Sequence, residues 1–312
     1  MLDIAVIGTG LVGRAWAIVF ARAGHQVRIY DSNPHAASRA LSLIAESLAD
    51  LAEFGLISQT PAVVQERITV ALDLVAALHG AGYAQENALE ELDVKKALFK
   101  EMDALASPEA ILASSTSAIP ASAFSEQLRG RHRCLVAHPV NPPHVVPIVE
   151  ISPAPWTLET VVVSAKSLLE SVGQVPVIVR REIPGFILNR LQGALLNEAF
   201  RLVEAGYVSA GDLDKTIAHG LGLRWSFMGP FETIDLNAPG GIADYAQRFG
   251  EMYYQMATAP EAAPRRWSEE LITRVLDERR QALPRSEHEK RQAWRDRRLM
   301  ALAAHKRAAE KD

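Results

Sequence analysis

Short apolar runs alternate with longer stretches of helical periodicity through the first half of the chain. Residues 2–7 form an apolar run closed by Gly8. Residues 11–23 repeat their apolar positions at helical spacing up to Gly24, and residues 26–30 are a second apolar run closed by Asp31. This predicts β–α–β. Further strands are expected at residues 68–70, 82–84, 111–114 and 134–137, with helices near 35–55 and 88–105 and edge strands at 146–151 and 175–179. Strands alternating with helices indicate a parallel sheet covered by helices on both faces. After Pro184 the pattern changes. Residues 186–204, a stretch from 213, 233–236, 243–256 and the tail from 268 read as helical, and no strand is expected there. The expected fold class is therefore α/β, a doubly wound parallel sheet domain over residues 1–184, followed by an all-helical C-terminal domain over residues 185–312.

Composition narrows the function classes. A chain of 312 residues suits about two domains. The formal charge of −4 gives no footprint for a polyanion, so no nucleic acid is expected as partner. Basic residues outnumber acidic ones from residue 264 onward, where no basic cluster is interleaved with aromatics in the manner of a nucleic-acid site. That tail reads as a solvated helix, or one packed on the rest of the chain or on a second subunit. No apolar run approaches membrane-spanning length, so no membrane association is expected. Cys134 is the single cysteine and has no internal partner, which suits a reducing compartment. With the first strand starting at residue 2, no leader is expected either, and the expected location is cytoplasmic. No metal site is expected.

Gly8-Thr9-Gly10-Leu11-Val12-Gly13 is a GxGxxG run that follows a strand and opens a helix. Gly8 allows the tight turn, Gly10 lets a pyrophosphate approach the backbone, and Gly13 lets helix and strand pack closely. Leu11 and Val12 begin the helix, whose N-terminus offers free N–H groups to phosphates. Asp31, closing the second strand, suits both ribose hydroxyls and would repel a 2′-phosphate, and Ser32-Asn33 supplies no cation to rescue one. The domain is thus Rossmann-like, with NAD as the expected cofactor and FAD the runner-up.

Three polar features follow, each expected at the carboxyl end of a strand, where open α/β sheets hold ligands. Ser114-Ser115-Thr116-Ser117 offers four hydroxyls to a substrate alcohol or a nicotinamide; the alternative is a helix cap. His138, in His-Pro-Val-Asn-Pro-Pro, is placed for general-base work; the alternative is a structural turn histidine. Glu150, after an apolar run, is a natural partner to orient the His138 imidazole; the alternative is a surface carboxylate. Joined to an NAD site, they suggest hydride transfer from a secondary alcohol.

These residues, with Pro184-Gly185-Phe186-Ile187-Leu188-Asn189-Arg190 and Met228-Gly229-Pro230-Phe231-Glu232, resemble the 3-hydroxyacyl-CoA dehydrogenase superfamily over nearly the whole chain. Within it, the segments 13–17 and 220–227, with Trp294-Arg295-Asp296 and Leu299-Met300, are most similar to the lambda-crystallin/L-gulonate 3-dehydrogenase branch. The resemblance implies Ser117 on the substrate oxygen, His138 as general base with Glu150 its orienter, and Asn189 polarising the reacting carbonyl. An amide one turn into a junction helix can aim a donor at a developing oxyanion; the alternative is a local hydrogen bond. Glu90 and Lys95 would lie near the nicotinamide end of NAD. Glu91 stands where the family has asparagine, and Leu89 where the branch has proline. The resemblance also implies a homodimer formed through the helical domain. The apolar positions at 195–196, 199–200 and 202–203 suit either that interface or an internal core.

The substrate class turns on charge. Acyl-CoA enzymes need cations for the CoA phosphates, yet the first lysine is Lys95, and between residues 40 and 94 Arg67 is the only Lys or Arg. Glu46, Asp50 and Glu53 make that region acidic. A small carboxylate needs one guanidinium, and Arg224 is the candidate, in a glycine-rich loop beside Trp225 and Phe227; the alternative is a pair with Glu232. The expected substrate is a small 3-hydroxy acid such as L-gulonate. Carnitine, whose cation aromatic rings would receive, an acyl-CoA thioester, and a non-enzymatic crystallin role are the alternatives.

Overall fold

The computed structural model describes residues 1–309. Among them β1 (Asp3–Ile7), β2 (Gln26–Tyr30), β3 (Ile68–Val70), β4 (Tyr83–Glu86), β5 (Ile111–Ser114), β6 (Cys134–Pro139), β7 (Ile148–Pro153) and β8 (Val175–Ile178) form one sheet in the order β3-β2-β1-β4-β5-β6-β7-β8. All neighbours pair parallel except β6 and β7. The strand order reverses between β1 and β4, the switch point at which doubly wound sheets open a crevice.

The two-residue period of each strand sends alternate side chains to opposite faces. Ile4, Val6, Tyr83, Leu135 and Ala137 enter one core with Trp16 and Phe20 of α1 (Leu11–Arg22) and Ile44 and Leu48 of α2 (Pro34–Glu53). Ala5, Ile7, Ala84, Leu112 and Val136 enter the other, with Phe99 and Met102 from helix Leu92–Leu105 and Phe124 from helix Ala121–Ser125. Helix α2 starts where it does because Pro34 suits the first helical position and the Asn33 side chain accepts from the His35 N–H at 3.0 Å. Its buried Ala37, Ala40, Ile44, Leu48 and Leu51 recur every three or four residues.

The chain divides into two compact units. Met1–Asn189 together with the tail from Gln292 forms the first, and Arg190–Arg291 the second. The division from sequence placed all of 185–312 in the second domain; here the tail belongs with the sheet. Its helix, His288–Ala309, buries Met300 in the first core, and Arg297 pairs with Asp50 at 2.6 Å and with Glu53 of α2. The second unit is helical, with Ala210–Thr216, Gly222–Trp225, Pro230–Leu236, Gly241–Thr258 and Glu269–Ala282 following the helix that begins at Leu188. Its buried apolar side chains, among the described residues, are Val203, Ala210, Ala238 and Leu271. No helix among the described residues is long and apolar enough to cross a membrane.

Candidate active site

The turn after β1 is shaped by what glycine lacks. Gly8 has φ +89°, and a Cβ there would lie 2.7 Å from the Asn87 carbonyl oxygen. A Cβ on Gly13 would lie 1.9 Å from the Gly8 carbonyl oxygen, so helix and strand meet only if position 13 is bare. A Cβ on Gly10 would meet nothing within 4 Å. Gly10 instead lines a cavity of about 600 Å³ together with Gly8, Asp31, Ser32 and Asn87. Leu11 is exposed, and Val12 packs against the core. The first turn of α1 has neither a side-chain cap nor an acidic residue, leaving its N–H groups for an anion.

Asp31 braces the same turn. One of its oxygens accepts from the Thr9 N–H at 2.8 Å and the Thr9 hydroxyl at 2.9 Å, and the other from the Asn33 N–H at 2.9 Å. A carboxylate has about four acceptor positions, so about one remains, on the oxygen that takes the Asn33 N–H, for a ribose hydroxyl. A bare glycine facing a cavity, an uncapped helix start and a carboxylate at the end of β2 fit a dinucleotide.

The antiparallel turn-back of β7 sets His138 directly opposite Glu150. Directly opposed residues project to the same face, so the two side chains meet. Glu150 is thus near the start of β7, not at the carboxyl end of a strand as expected; it reaches that edge because β7 runs backwards. His138 is 6% and Glu150 3% exposed, and His138 Nδ1 lies 2.9 Å from Glu150 Oε2. Glu150 Oε1 accepts from the N–H groups of Ile187 at 2.7 Å and Leu188 at 2.9 Å. Burial pushes this carboxyl up, but the bonds from His138, Leu188 and Ile187 outweigh that and hold it below its ordinary value. His138 Nε2 has no partner among the described residues. His144 nearby does not compete as a base, because burial and then Arg22 push it down to about 4.

Glu150 also fixes the start of the junction helix, Leu188–Glu204. Pro184-Gly185-Phe186 turns sharply before it, with Gly185 at φ +75° and Phe186 at φ +46°. A left-handed phenylalanine is strained, and its fully buried ring packs 5.5 Å from the His138 ring. Asn189 follows, and its Nδ2 donates to the Ser117 carbonyl at 2.8 Å.

The four hydroxyls after β5 separate. Ser114 donates to Glu86 at 2.5 Å, Ser115 to Asn87 at 2.7 Å, and Thr116 to Glu90 at 2.5 Å. Only Ser117 is exposed with a hydroxyl that has no partner among the described residues. Glu90 accepts from the N–H groups of Ser117 at 2.8 Å and Ala118 at 3.1 Å. Burial pushes Glu90 up, and these bonds with Lys95 outweigh it and lower it. Lys95 is buried on Glu86 at 3.0 and 3.1 Å and lies 3.6 Å from Glu90. One connected set of contacts thus runs from His138 through Glu150 and the helix start to Asn189, Ser117, Glu90, Lys95 and Glu86.

Comparison with known proteins settles the family. The model of the 3-hydroxyacyl-CoA dehydrogenase NAD-binding domain matches residues 3–183, and that of the C-terminal domain matches residues 185–271. The chain belongs to the 3-hydroxyacyl-CoA dehydrogenase family. It is 40% identical to a lambda-crystallin homolog of Bos taurus, over 96% of this chain and 94% of that one. It is 37% identical to an L-carnitine dehydrogenase of Streptomyces griseus, over 79% of this chain and 73% of that one. A solved 5-formyl-3-hydroxy-2-methylpyridine 4-carboxylic acid 5-dehydrogenase, an NAD+-dependent dismutase, superposes with TM-score 0.80 at 27% identity, covering 99% of both chains. The cofactor of this family's first domain is NAD, and the chain is an NAD-dependent 3-hydroxy acid dehydrogenase in the broad sense of the family.

Arg224, from the second unit, is not part of that connected set. The expected glycine-rich loop is helical: a wide turn over Ile217–Leu221 runs into the helix Gly222–Trp225 because the linking residues keep right-handed helical backbone. Arg224 is exposed and, among the described residues, has no ion pair, with Glu232 or any other acid. Sequence reasoning missed Gln85, Glu86 and Asn87, having ended the fourth strand at residue 84. The available signal was two polar residues extending a strand that must be central and buried, where each demands a partner.

Proposed function

We propose that this dehydrogenase oxidises the 3-hydroxyl of a small free hydroxy acid such as L-gulonate. The observation that carries the reading is His138, with Nδ1 held by Glu150 and Nε2 unpartnered, joined by one run of contacts to Ser117 and Asn189. With Nδ1–H committed to a carboxylate, Nε2 carries the lone pair that accepts the hydroxyl proton, and Glu150 stabilises the imidazolium that forms. The free Ser117 hydroxyl orients the substrate oxygen. The second N–H of the Asn189 amide, not used on Ser117, supports the oxygen as it becomes a carbonyl. Bound NAD supplies the hydride acceptor.

The free acid is preferred to a thioester on charge. Arg67 spends its guanidinium on the Ala21 carbonyl at 2.9 Å and the Gln59 side chain at 2.7 Å. Asp50 and Glu53 of α2 are paired with Arg297. Between residues 40 and 94 no Lys or Arg is left unengaged for a CoA phosphate, whereas the exposed Arg224 suits a substrate carboxylate. The resemblance to an L-carnitine dehydrogenase supports a free hydroxy acid as well. We also place the enzyme in the cytoplasm, as a homodimer.

The test is turnover of a panel followed by NADH absorbance: L-gulonate, carnitine, 3-hydroxybutyrate and 3-hydroxybutyryl-CoA. Oxidation of a free acid, with KM raised at least about tenfold in Arg224→Ala while NADH binding is unchanged, is the expected result. Turnover of the thioester alone overturns the reading.

A further inference from the structure

The sheet separates two polar networks. Glu86 of β4 and Ser114 of β5, with Lys95 of the helix Leu92–Leu105, lie on the sheet face to which His138 of β6 also projects. On the opposite face a second network surrounds Ser115, and the chemistry above does not use it. Ser115 Oγ accepts from Trp16 Nε1 at 3.0 Å and from Gln85 Nε2 at 2.7 Å, and donates to Asn87 Oδ1 at 2.7 Å. The direction of every bond is fixed. The indole and the amide NH2 only donate, so the one serine proton goes to Asn87. The buried Tyr83 hydroxyl donates to Gln85 Oε1 at 2.6 Å, which turns the amide NH2 toward Ser115. Burial holds the Tyr83 phenol far above its ordinary pKa, so it stays a donor.

The two ends of this network are informative. Asn87 Nδ2 donates to the Gln85 carbonyl at 2.9 Å and to the carbonyl of Ile7, the residue before Gly8, at 3.3 Å. Asn87 also lines the nucleotide cavity, and its own carbonyl is what excludes a Cβ from Gly8. At the other end Gln85 Nε2 donates at 3.3 Å to the carbonyl of Ala137, the residue before His138. One buried chain of hydrogen bonds thus spans β1, β4, the loop after β5, and β6.

We propose that Ser115 is a positioning residue, which holds Asn87 and the Gly8 turn for NAD and, through Gln85, the strand that carries His138. It touches neither cofactor nor substrate; it sets two sites from one hub. The proposal rests on the cofactor and not on the identity of the hydroxy acid, so its test needs no substrate.

The experiment measures two properties of Ser115→Ala: NADH affinity by fluorescence, and the His138 ring resonances by NMR, assigned by their loss in His138→Gln. The expected result is NADH dissociation weakened about 5- to 20-fold, the scale of a buried polar group left unpaired, together with displaced His138 resonances. Either property unchanged in a cooperatively folded variant overturns the proposal. A second measurement covers a variant that does not fold. In the wild-type protein the Trp16 indole N–H resonance, assigned through Trp16→Phe, is expected to shift as NADH is added, although Trp16 lies outside the cavity lining. A resonance that stays fixed through NADH saturation overturns the proposal, because the hub would then not sense the cofactor.

Discussion

Glu150 shows how much one side chain can decide. Its two oxygens face different tasks: Oε2 takes the His138 ring, and Oε1 takes the N–H groups that open the junction helix. Glu150→Gln separates them. The amide oxygen can still accept from Ile187 and Leu188, so the helix start survives. The amide nitrogen then faces His138 Nδ1 and forces its proton onto Nε2, the atom that must accept one. We expect kcat to fall on the order of 10³-fold or more, the scale of a wrong-tautomer defect, with near-normal NADH affinity. The pH dependence of stability has a definite sign. The folded-state pKa of Glu150 is depressed, so its contribution is present above the unfolded value of about 4.3 and is lost as pH falls through the folded value. Thermal melts of the wild type should therefore steepen their decline below about pH 4.3, and those of Glu150→Gln should decline less. His138 and the serine run could be read as chemistry-bearing from the sequence. The resemblance singled out Ser117 among the four, but what occupies the other three could not be read, because Ser114, Ser115 and Thr116 find their partners on β4 and the loop beyond it.

At the scale of elements, the β1–α1 turn separates glycines needed by the fold from one needed by the ligand. Gly13→Ala would drive a methyl into the Gly8 carbonyl, so a loss of about 3 kcal/mol or more of stability is expected together with NADH binding. Gly10→Ala meets no protein atom within 4 Å. That variant should melt with the wild type and lose NADH affinity at least about tenfold, since the methyl occupies space kept for the pyrophosphate. Calorimetry beside NADH titration distinguishes the two; equal melting of both variants would show that the turn is not as tight as described. The motif was legible because its spacing is local. The residue range of β4 was not: Gln85 and Glu86 look like the start of a loop until the Ser115 hub and Lys95 are seen to receive them.

For the whole molecule the decisive contrast is between the two units. The first buries a continuous core on each face of its sheet. The second buries four apolar side chains among its described residues and leaves Leu195, Leu196, Phe227, Phe231, Phe249 and Tyr253 exposed, with the helix Gly241–Thr258 burying none of its residues. Apolar exposure on that scale calls for a partner surface, and the proposed homodimer supplies one. Light scattering should give about twice the 34.1 kDa chain mass, and Phe249→Glu should shift it toward the monomer; a monomeric wild type would refute the dimer. The tail carries the opposite lesson. Its basic composition suggested a solvated helix as readily as a packed one, and Met300 and Arg297 place it on α2. By itself the amino-acid sequence determined what depends on neighbours along the chain: the alternation of strands and helices, the glycine turn, the aspartate that ends β2, and the residue types fit for proton and hydride chemistry. Tertiary structure alone decided what depends on residues far apart: the reversed strand by which Glu150 meets the His138 expected as its partner, the capping of the junction helix by that same carboxylate, the commitment of three hydroxyls out of four, and the hub at Ser115. Periodicity is written in local spacing, whereas a buried polar group reveals its role only when the fold brings it a partner.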